Sequence, residues 1–229
     1  MSKDISDKQN VAIDAASLVE SGMVVGLGTG STANYFIEEL ARRQTEEALR
    51  VTTVASSIVS TRIALSYGLD VIAIENVTSI DLYVDGADEV TDDMTLLKGR
   101  GSDLVREKLL AKACKQFYVL IDNSKLVNRI GEKFPIPIEV MPFAWQLVLQ
   151  SVKQIGGEGD LRPNASGDGL AVTSHGSLVL DMSFDEGIDG HMLNHQLNAI
   201  PGIVEHGIFA NLATRIFIGA NGQIEQRKN

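Results

Sequence analysis

MVVGLGTGSTANYFIEELARR, residues 23–43, joins three patterns in succession. Met23 to Leu27 is a short apolar run, which reads as a buried strand. Gly28 to Thr32 is a tight loop of small residues. From Ala33 to Arg43, Phe36, Ile37 and Leu40 recur on one helical face. Strand, glycine loop and helix in that order open a parallel α/β unit.

The alternation continues on both sides. Val11, Ala15, Leu18 and Val19 share a helical face that ends at Ser21-Gly22. Val51 to Ala55, Val71 to Ile74, Ile80 to Val84 and Phe117 to Ile121 read as strands. Ser57 to Tyr67 and Leu104 to Ala113 read as helices between them. Strands separated by helices imply right-handed crossovers and a mostly parallel sheet. The pattern changes after Lys125. Lys133 to Pro137 reads as a Pro-punctuated connection, Phe143 to Ile155 as an amphipathic helix, and Gly156 to Gly169 as a turn-rich stretch. Leu170 to Thr173 and Leu178 to Met182 flank His175-Gly176, which suggests a hairpin. Met192 to Ala199 reads as another helix. The expected organisation is α/β: residues 1–130 plus 206–229 form the parallel-sheet domain, and 131–205 form a smaller inserted α+β domain. The tail, Gly207 to Gln226, is expected to return to the first sheet.

Composition narrows the function. The 229 residues carry 20 basic and 30 acidic side chains, a net charge of −10. A general nucleic-acid or anionic-membrane binder has a basic footprint instead. One cysteine, Cys114, excludes an internal disulfide and a multi-cysteine metal centre. The polar start MSKDISDKQN does not resemble a signal peptide, and no apolar run nears the ~20 residues that span a bilayer. The expected setting is the cytoplasm.

Four segments carry candidate chemistry. The loop GLGTGST, Gly26 to Thr32, offers free N–H groups at a helix start and three hydroxyls, which suit an anion; an ordinary βα turn is the alternative. A dinucleotide fingerprint needs a third glycine where Ser31 stands and an acid after the next strand, which instead runs into Ser56-Ser57. The Gly-Lys-Ser/Thr of a P-loop is also missing. A small phosphate monoester fits the hydroxyls better. DGADE, Asp85 to Glu89, follows a strand, and Asp85 and Asp88 are spaced to face one pocket or to form a solvated acidic turn. KGRGSDLVREK, Lys98 to Lys108, opens a basic island in an acidic chain. Ser102 or Asp103 can cap the helix that follows. Asp103 and Glu107 share one of its faces, so one acid there is a candidate general base. DNSK, Asp122 to Lys125, adds a cation after a strand. His191 and His195 have a metal-like spacing but lack an evident third ligand. Cys114, among Ala111, Ala113 and Phe117, reads as buried and inert.

In combination and order, these segments resemble the type A ribose-5-phosphate isomerase family. The match takes in GLGTGST, Ser56 to Thr61, YVDGADE, KGRGSDLVREK, DNSK, FPIPIEVMP at Phe134 to Pro142, and NAIPGIVEHGIFAN at Asn198 to Asn211. The resemblance implies a Rossmann-like domain with a smaller α+β domain inserted. It implies a cofactor-free and metal-free interconversion of D-ribose 5-phosphate and D-ribulose 5-phosphate, in a homodimer or homotetramer. Carried over residue by residue, Glu107 is the proton acceptor, with Asp85, Asp88 and Lys98 also catalytic. Thr29, Gly30, Ser31, Thr32, Gly86, Ala87, Gly99, Arg100, Gly101 and Lys125 bind substrate, and Lys8 contacts phosphate. Arg100 departs from the family's usual Lys-Gly-Gly-Gly, and Asp103 stands where a small residue is usual. If residue 100 has a left-handed backbone, arginine there costs roughly 1–2 kcal/mol. An isomerase for another phosphosugar, or a catalytically weak phosphosugar sensor, is the alternative.

Overall fold

The computed structural model describes residues 6–101 and 103–228. In chain order the first half comprises α1 (Asp7–Ser17), β1 (Val24–Leu27), α2 (Ser31–Glu46), β2 (Thr52–Ala55), α3 (Ile58–Ser66), β3 (Asp70–Val71), β4 (Ile80–Asp85), β5 (Glu89–Val90), β6 (Leu96–Leu97), α4 (Leu104–Ala113) and β7 (Cys114–Asp122). The second half comprises β8 (Ile136–Val140), α5 (Trp145–Gln154), β9 (Glu158–Leu161), β10 (Leu178–Ser183), α6 (Gly190–Asn198), β11 (Ile203–His206), β12 (Ile208–Phe209), β13 (Arg215–Ala220) and β14 (Gln223–Lys228).

Contacts divide the chain into two units. The first holds residues up to 87, 106–125 and those from 212 onward; the second holds 88–105 and 126–211. The second unit therefore takes in residues 88–105, which the sequence pattern assigns to the parallel-sheet domain. The reason is that β6 pairs with β5 on one side and β12 on the other, in a separate three-stranded sheet.

The first unit is a seven-stranded sheet in the order β14-β13-β7-β4-β1-β2-β3, parallel throughout except for β14. Strand order reverses between β1 and β4, the place where ligands of open parallel sheets bind beyond the strands' carboxyl ends. The Gly28–Thr32 loop and Asp85 both lie there. The helices follow their apolar spacing: α2 buries Ala33, Phe36, Ile37, Leu40 and Ala41, and α1 buries Val11, Ala12, Ala15 and Ala16. Hydroxyls start two of them. Ser6 Oγ accepts from the Gln9 N–H and Ser57 Oγ from the Ser60 N–H, each satisfying a donor the helix leaves open. Val71 to Ile74, expected as one strand, is only Asp70–Val71 followed by a single helical turn at Ile74–Asn76.

The second unit's larger sheet has the order β11-β8-β10-β9, all antiparallel. Val148 and Val152 of α5 and Leu193 and Leu197 of α6 pack into its core with Ile136, Ile138, Val140, Leu180 and Met182. The expected hairpin of Leu170 to Thr173 with Leu178 to Met182 is reduced to the isolated bridge Val172–Leu178. β10 pairs instead with β8 and β9. Leu178 to Met182 needs two partners because both its neighbours, Ile136–Val140 and Glu158–Leu161, are strands that Pro137 and Gly159 disguise in the sequence. Pro137 is tolerated inside β8, and Gly159, at φ +155°, lies where a Cβ would meet the Asp181 carbonyl oxygen at 2.0 Å.

Glu139 on β8 is fully buried, and its Oε1 accepts from the Thr173 hydroxyl at 2.9 Å. Burial pushes this carboxyl above its ordinary 4.5, against hydrogen bonds from Thr173 and Ser177 and the field of His175; Asp103 pushes it further up. A folded-state value above the unfolded one means a stability contribution that is complete at low pH. It is lost as pH rises from 4.5 through the raised value. Melting temperature measured from pH 4 to 8 is therefore expected to lose this contribution in the wild type, and Glu139→Gln is expected to flatten that part of the curve. Parallel curves would refute the assignment.

Candidate active site

In the first unit, Asp85 ends β4 with no exposed surface. Its Oδ1 accepts from the Thr29 N–H at 3.0 Å and the Gly86 N–H at 2.8 Å. Its Oδ2 accepts from the Tyr83 hydroxyl at 2.5 Å. Tyr83 is buried and stacks on Phe117 at 4.9 Å. Burial, then the negative fields of Asp85 and Glu107, hold the Tyr83 phenol well above its ordinary pKa, so it stays a donor. Glu107 lies in the first turn of α4 and is 5% exposed. A carboxylate there is favoured by the helix's positive end.

The Thr29 hydroxyl donates to Ser57 Oγ at 2.7 Å and lies 2.9 Å from both Ser56 Oγ and Ser60 Oγ. Ser60 Oγ in turn donates to the Gly28 carbonyl at 2.6 Å. The Ser56–Ser60 run thus fixes the loop that precedes α2. Gly30, at φ +119°, caps α2 without a side chain, so the N–H groups at Ser31 and Thr32 begin the helix at a glycine. Those groups are what an anion uses. The Lys8 ammonium donates to Ser31 Oγ at 3.3 Å, which brings that cation to the loop. Lys125 closes the helical turn Asn123–Lys125. Burial raises the Asp122 carboxyl, but Ser124's hydrogen bonds and the charges of Lys8 and Lys125 outweigh it and leave its pKa lowered. Gly86 and Ala87 are half-buried beyond β4.

In the second unit, Lys98 is 4% exposed; its N–H donates to the Gly207 carbonyl at 2.9 Å, and its ammonium lies 5.7 Å from the Phe209 ring centre. Gly99 has φ +99°, and a Cβ there would press on Leu104 and Pro137. Gly101 is exposed. Asp88 is partly exposed and donates its own N–H to the Leu97 carbonyl at 2.8 Å.

Arg100 is not among the residues with positive φ, so the strain expected of a non-glycine residue there does not arise. Its guanidinium stacks 4.1 Å from the Phe134 ring centre and lies 3.9 Å from Asp88 Oδ1. Phe134 is held in turn by Glu89, the last residue of DGADE, which accepts from the N–H groups of Gly131, Lys133 and Phe134. Arg100→Gly removes a half-exposed stack worth about 0.5–1 kcal/mol and adds backbone freedom costing about the same. Its Tm is expected to fall by no more than ~8 °C, while KM for the substrate moves about threefold or more. An unchanged KM would dispose of a binding role. Of the two expected caps for α4, Ser102 lies outside the described residues, and Asp103 instead accepts from the Ser174 hydroxyl at 2.9 Å.

His191 pairs with Asp93 at 2.7 Å, and among the described residues no group of three or more His, Cys, Asp or Glu side chains is placed to hold a metal. Cys114, expected to be buried, is only half-buried; what burial it has pushes its thiol up to about 11. No helix of the described residues is long and apolar enough to cross a membrane. Sequence reasoning misses Tyr83 and Glu89 as supports of the site. Tyr83 has a detectable signal, since it shares a strand face with Asp85 two residues on.

A doubly wound sheet with hydroxyl, carboxylate and lysine groups beyond its strand ends has the layout of an α/β protein that binds a small anionic ligand. A family model for ribose 5-phosphate isomerase A (phosphoriboisomerase A) matches residues 52–223. The chain is 42% identical over 224 residues to a ribose-5-phosphate isomerase A of Thermosynechococcus vestitus, covering 96% of this chain and 95% of that one. It is 43% identical to that of Thermococcus kodakarensis, covering 93% of each. The structure of the Methanocaldococcus jannaschii enzyme superposes with a TM-score of 0.91 at 37% identity, over 97% of this chain and 98% of the other. A D-ribose-5-phosphate isomerase in complex with phospho-erythronic acid gives 0.93 at 33% identity, again over 97% and 98%. The chain belongs to the ribose 5-phosphate isomerase A family.

Proposed function

We propose that this chain interconverts D-ribose 5-phosphate and D-ribulose 5-phosphate through an enediolate, without metal or organic cofactor. The family match across residues 52–223 carries this reading. Glu107 takes the proton from C2 of the open-chain aldose and returns it to C1, while the O2 hydroxyl proton passes to O1, leaving the ketose. A carboxylate is a weak base, so the C–H must be acidified by polarising the carbonyl. Lys98 supplies the positive charge for the developing oxyanion, and electrostatic stabilisation of this kind usually contributes most to the rate. Asp88, partly exposed, moves hydroxyl protons as the furanose ring opens. Asp85 is buried with both oxygens engaged, and this supports a fixed role: it orders Thr29 and Gly86. Thr29 to Thr32, Lys125 and Lys8 take the phosphate, whose binding orients the reacting end. Gly86, Ala87 and Gly99 to Gly101 line the sugar.

Phospho-erythronic acid is an expected ligand, since its carboxylate imitates the enediolate oxygens. A homodimer or homotetramer is the proposed assembly, supported by the exposed Phe143 and Leu147. The proposed compartment is the cytoplasm. The test is ribulose 5-phosphate formation from ribose 5-phosphate by EDTA-treated protein. Ordinary turnover is expected. No turnover, with ribose 5-phosphate still raising Tm, would point to a sensor or another sugar phosphate.

A further inference from the structure

Lys98 to Gly101 is the segment most in need of an outside support, because it is a loop with a left-handed glycine and an exposed end. Arg162, just past β9, meets it. The Arg162 Nη1 donates to the carbonyl oxygens of Gly99 at 3.3 Å and Arg100 at 3.2 Å. The rest of the guanidinium is fixed by Asp181 on β10, with Nε to Oδ2 at 2.8 Å and Nη2 to Oδ1 at 2.6 Å. Both partners are mostly buried, with side-chain exposures of 15% and 27%. This is a bidentate, charge-assisted pair, the kind that fixes geometry as well as contributing energy.

The consequence follows from peptide geometry. In a planar trans peptide the C=O and the following N–H point to opposite sides, and no cis bond occurs among the described residues. When Arg162 draws the Gly99 and Arg100 carbonyls to itself, the N–H groups of Arg100 and Gly101 are turned the other way. Two successive carbonyls reach one donor because Gly99 takes φ +99°. Successive N–H groups in such a turn form an anion-binding concavity.

We propose that Arg162, held by Asp181, is a positioning residue that aims the Arg100 and Gly101 N–H groups at the oxyanion of the enediolate. The proposal rests on the isomerase reading above. Arg162 touches no substrate and acts through the loop. A lysine cannot replace it fully, since an ammonium lacks the fork that serves Asp181 and the two carbonyls at once.

The test compares wild type, Arg162→Met, Arg162→Lys and Asp181→Asn by kcat, KM, inhibition by inorganic phosphate, and Tm. Loss of one oxyanion donor typically lowers kcat by about 10²–10³-fold, so Arg162→Met is expected near the lower figure. Its phosphate inhibition constant is expected to stay within about threefold of wild type, because the phosphate loop does not depend on Arg162. Arg162→Lys recovers part of the loss. Asp181→Asn, which keeps the guanidinium but loosens it, gives a smaller loss with the same unchanged phosphate constant, and it carries the test if Arg162→Met does not fold. Full kcat in the variants, or kcat and phosphate binding lost together with Tm, would overturn the assignment. A wild type without turnover would overturn the isomerase reading and this proposal with it.

Discussion

Glu107→Gln is expected to lower kcat by about 10²–10⁴-fold, the usual contribution of a positioned acid–base group. Glutamine keeps the size and burial of glutamate but accepts no proton from carbon. KM should stay within about threefold, because the lost interaction exists only in the transition state. Folding should be undisturbed. Glu107 is 5% exposed, and its negative field falls on the buried Tyr83 phenol. A neutral amide relieves that field, so Tm is expected to hold or rise. Steady-state kinetics beside a melting curve distinguishes the outcomes. Most of kcat surviving at unchanged KM would show that another group is the base. A joint fall of kcat and Tm would mean that Glu107 supports the fold.

The second large effect is expected at Gly28→Ala. A Cβ at residue 28 would stand 2.2 Å from Asp85 Oδ1, 2.3 Å from its Cγ and 2.6 Å from its Cα. The last of these is main chain in a central strand, which cannot swing aside. β1 and β4 pair in register up to Leu27 and Val84, so residue 28 faces Asp85 across the sheet. Overpacking a tight site costs about 1–3 kcal/mol and sometimes more. With a main-chain obstacle the cost should reach about 3 kcal/mol, a fall in Tm of roughly 6–12 °C. Activity should fall as well, since Asp85 would release the Thr29 N–H. Gly187→Ala is the control: its Cβ meets nothing within 4 Å, and its backbone is not left-handed. A mild Gly28→Ala would mean that β1 and β4 separate more easily than their pairing implies.

Much of the first unit is legible in the sequence because its strands are continuous apolar runs and its helices repeat every three to four residues. The GLGTGST loop and the acids after Val84 can be placed at strand ends from pattern alone. The second unit is harder to read. β8 carries Pro137, β9 reads Glu-Gly-Asp-Leu, and β5, β6 and β12 are two residues each, so none shows a period. Their pairing is set by partners distant in sequence, which is why pattern alone groups residues 88–105 with the parallel-sheet strands while contacts group them with the second unit. For the site, residue types name the chemistry, but not what holds it. Arg162 lies within the turn-rich stretch Gly156 to Gly169 with no motif around it, and its target is a pair of main-chain oxygens, which a sequence does not display.

The place of β13 beside β7 has a consequence for synthesis on the ribosome. β7 takes β4 as one neighbour as soon as residue 122 has emerged, but its other neighbour is Arg215–Ala220. The whole 126–211 segment of the second unit is translated in between. At ~5–20 residues per second that leaves a nascent parallel edge open for on the order of ten seconds. Phe117, Val119 and Ile121 line that edge, so the interval exposes an apolar strand to other nascent chains. Slow codons late in the message would lengthen it, and a holdase chaperone bound near residues 114–122 would shield it.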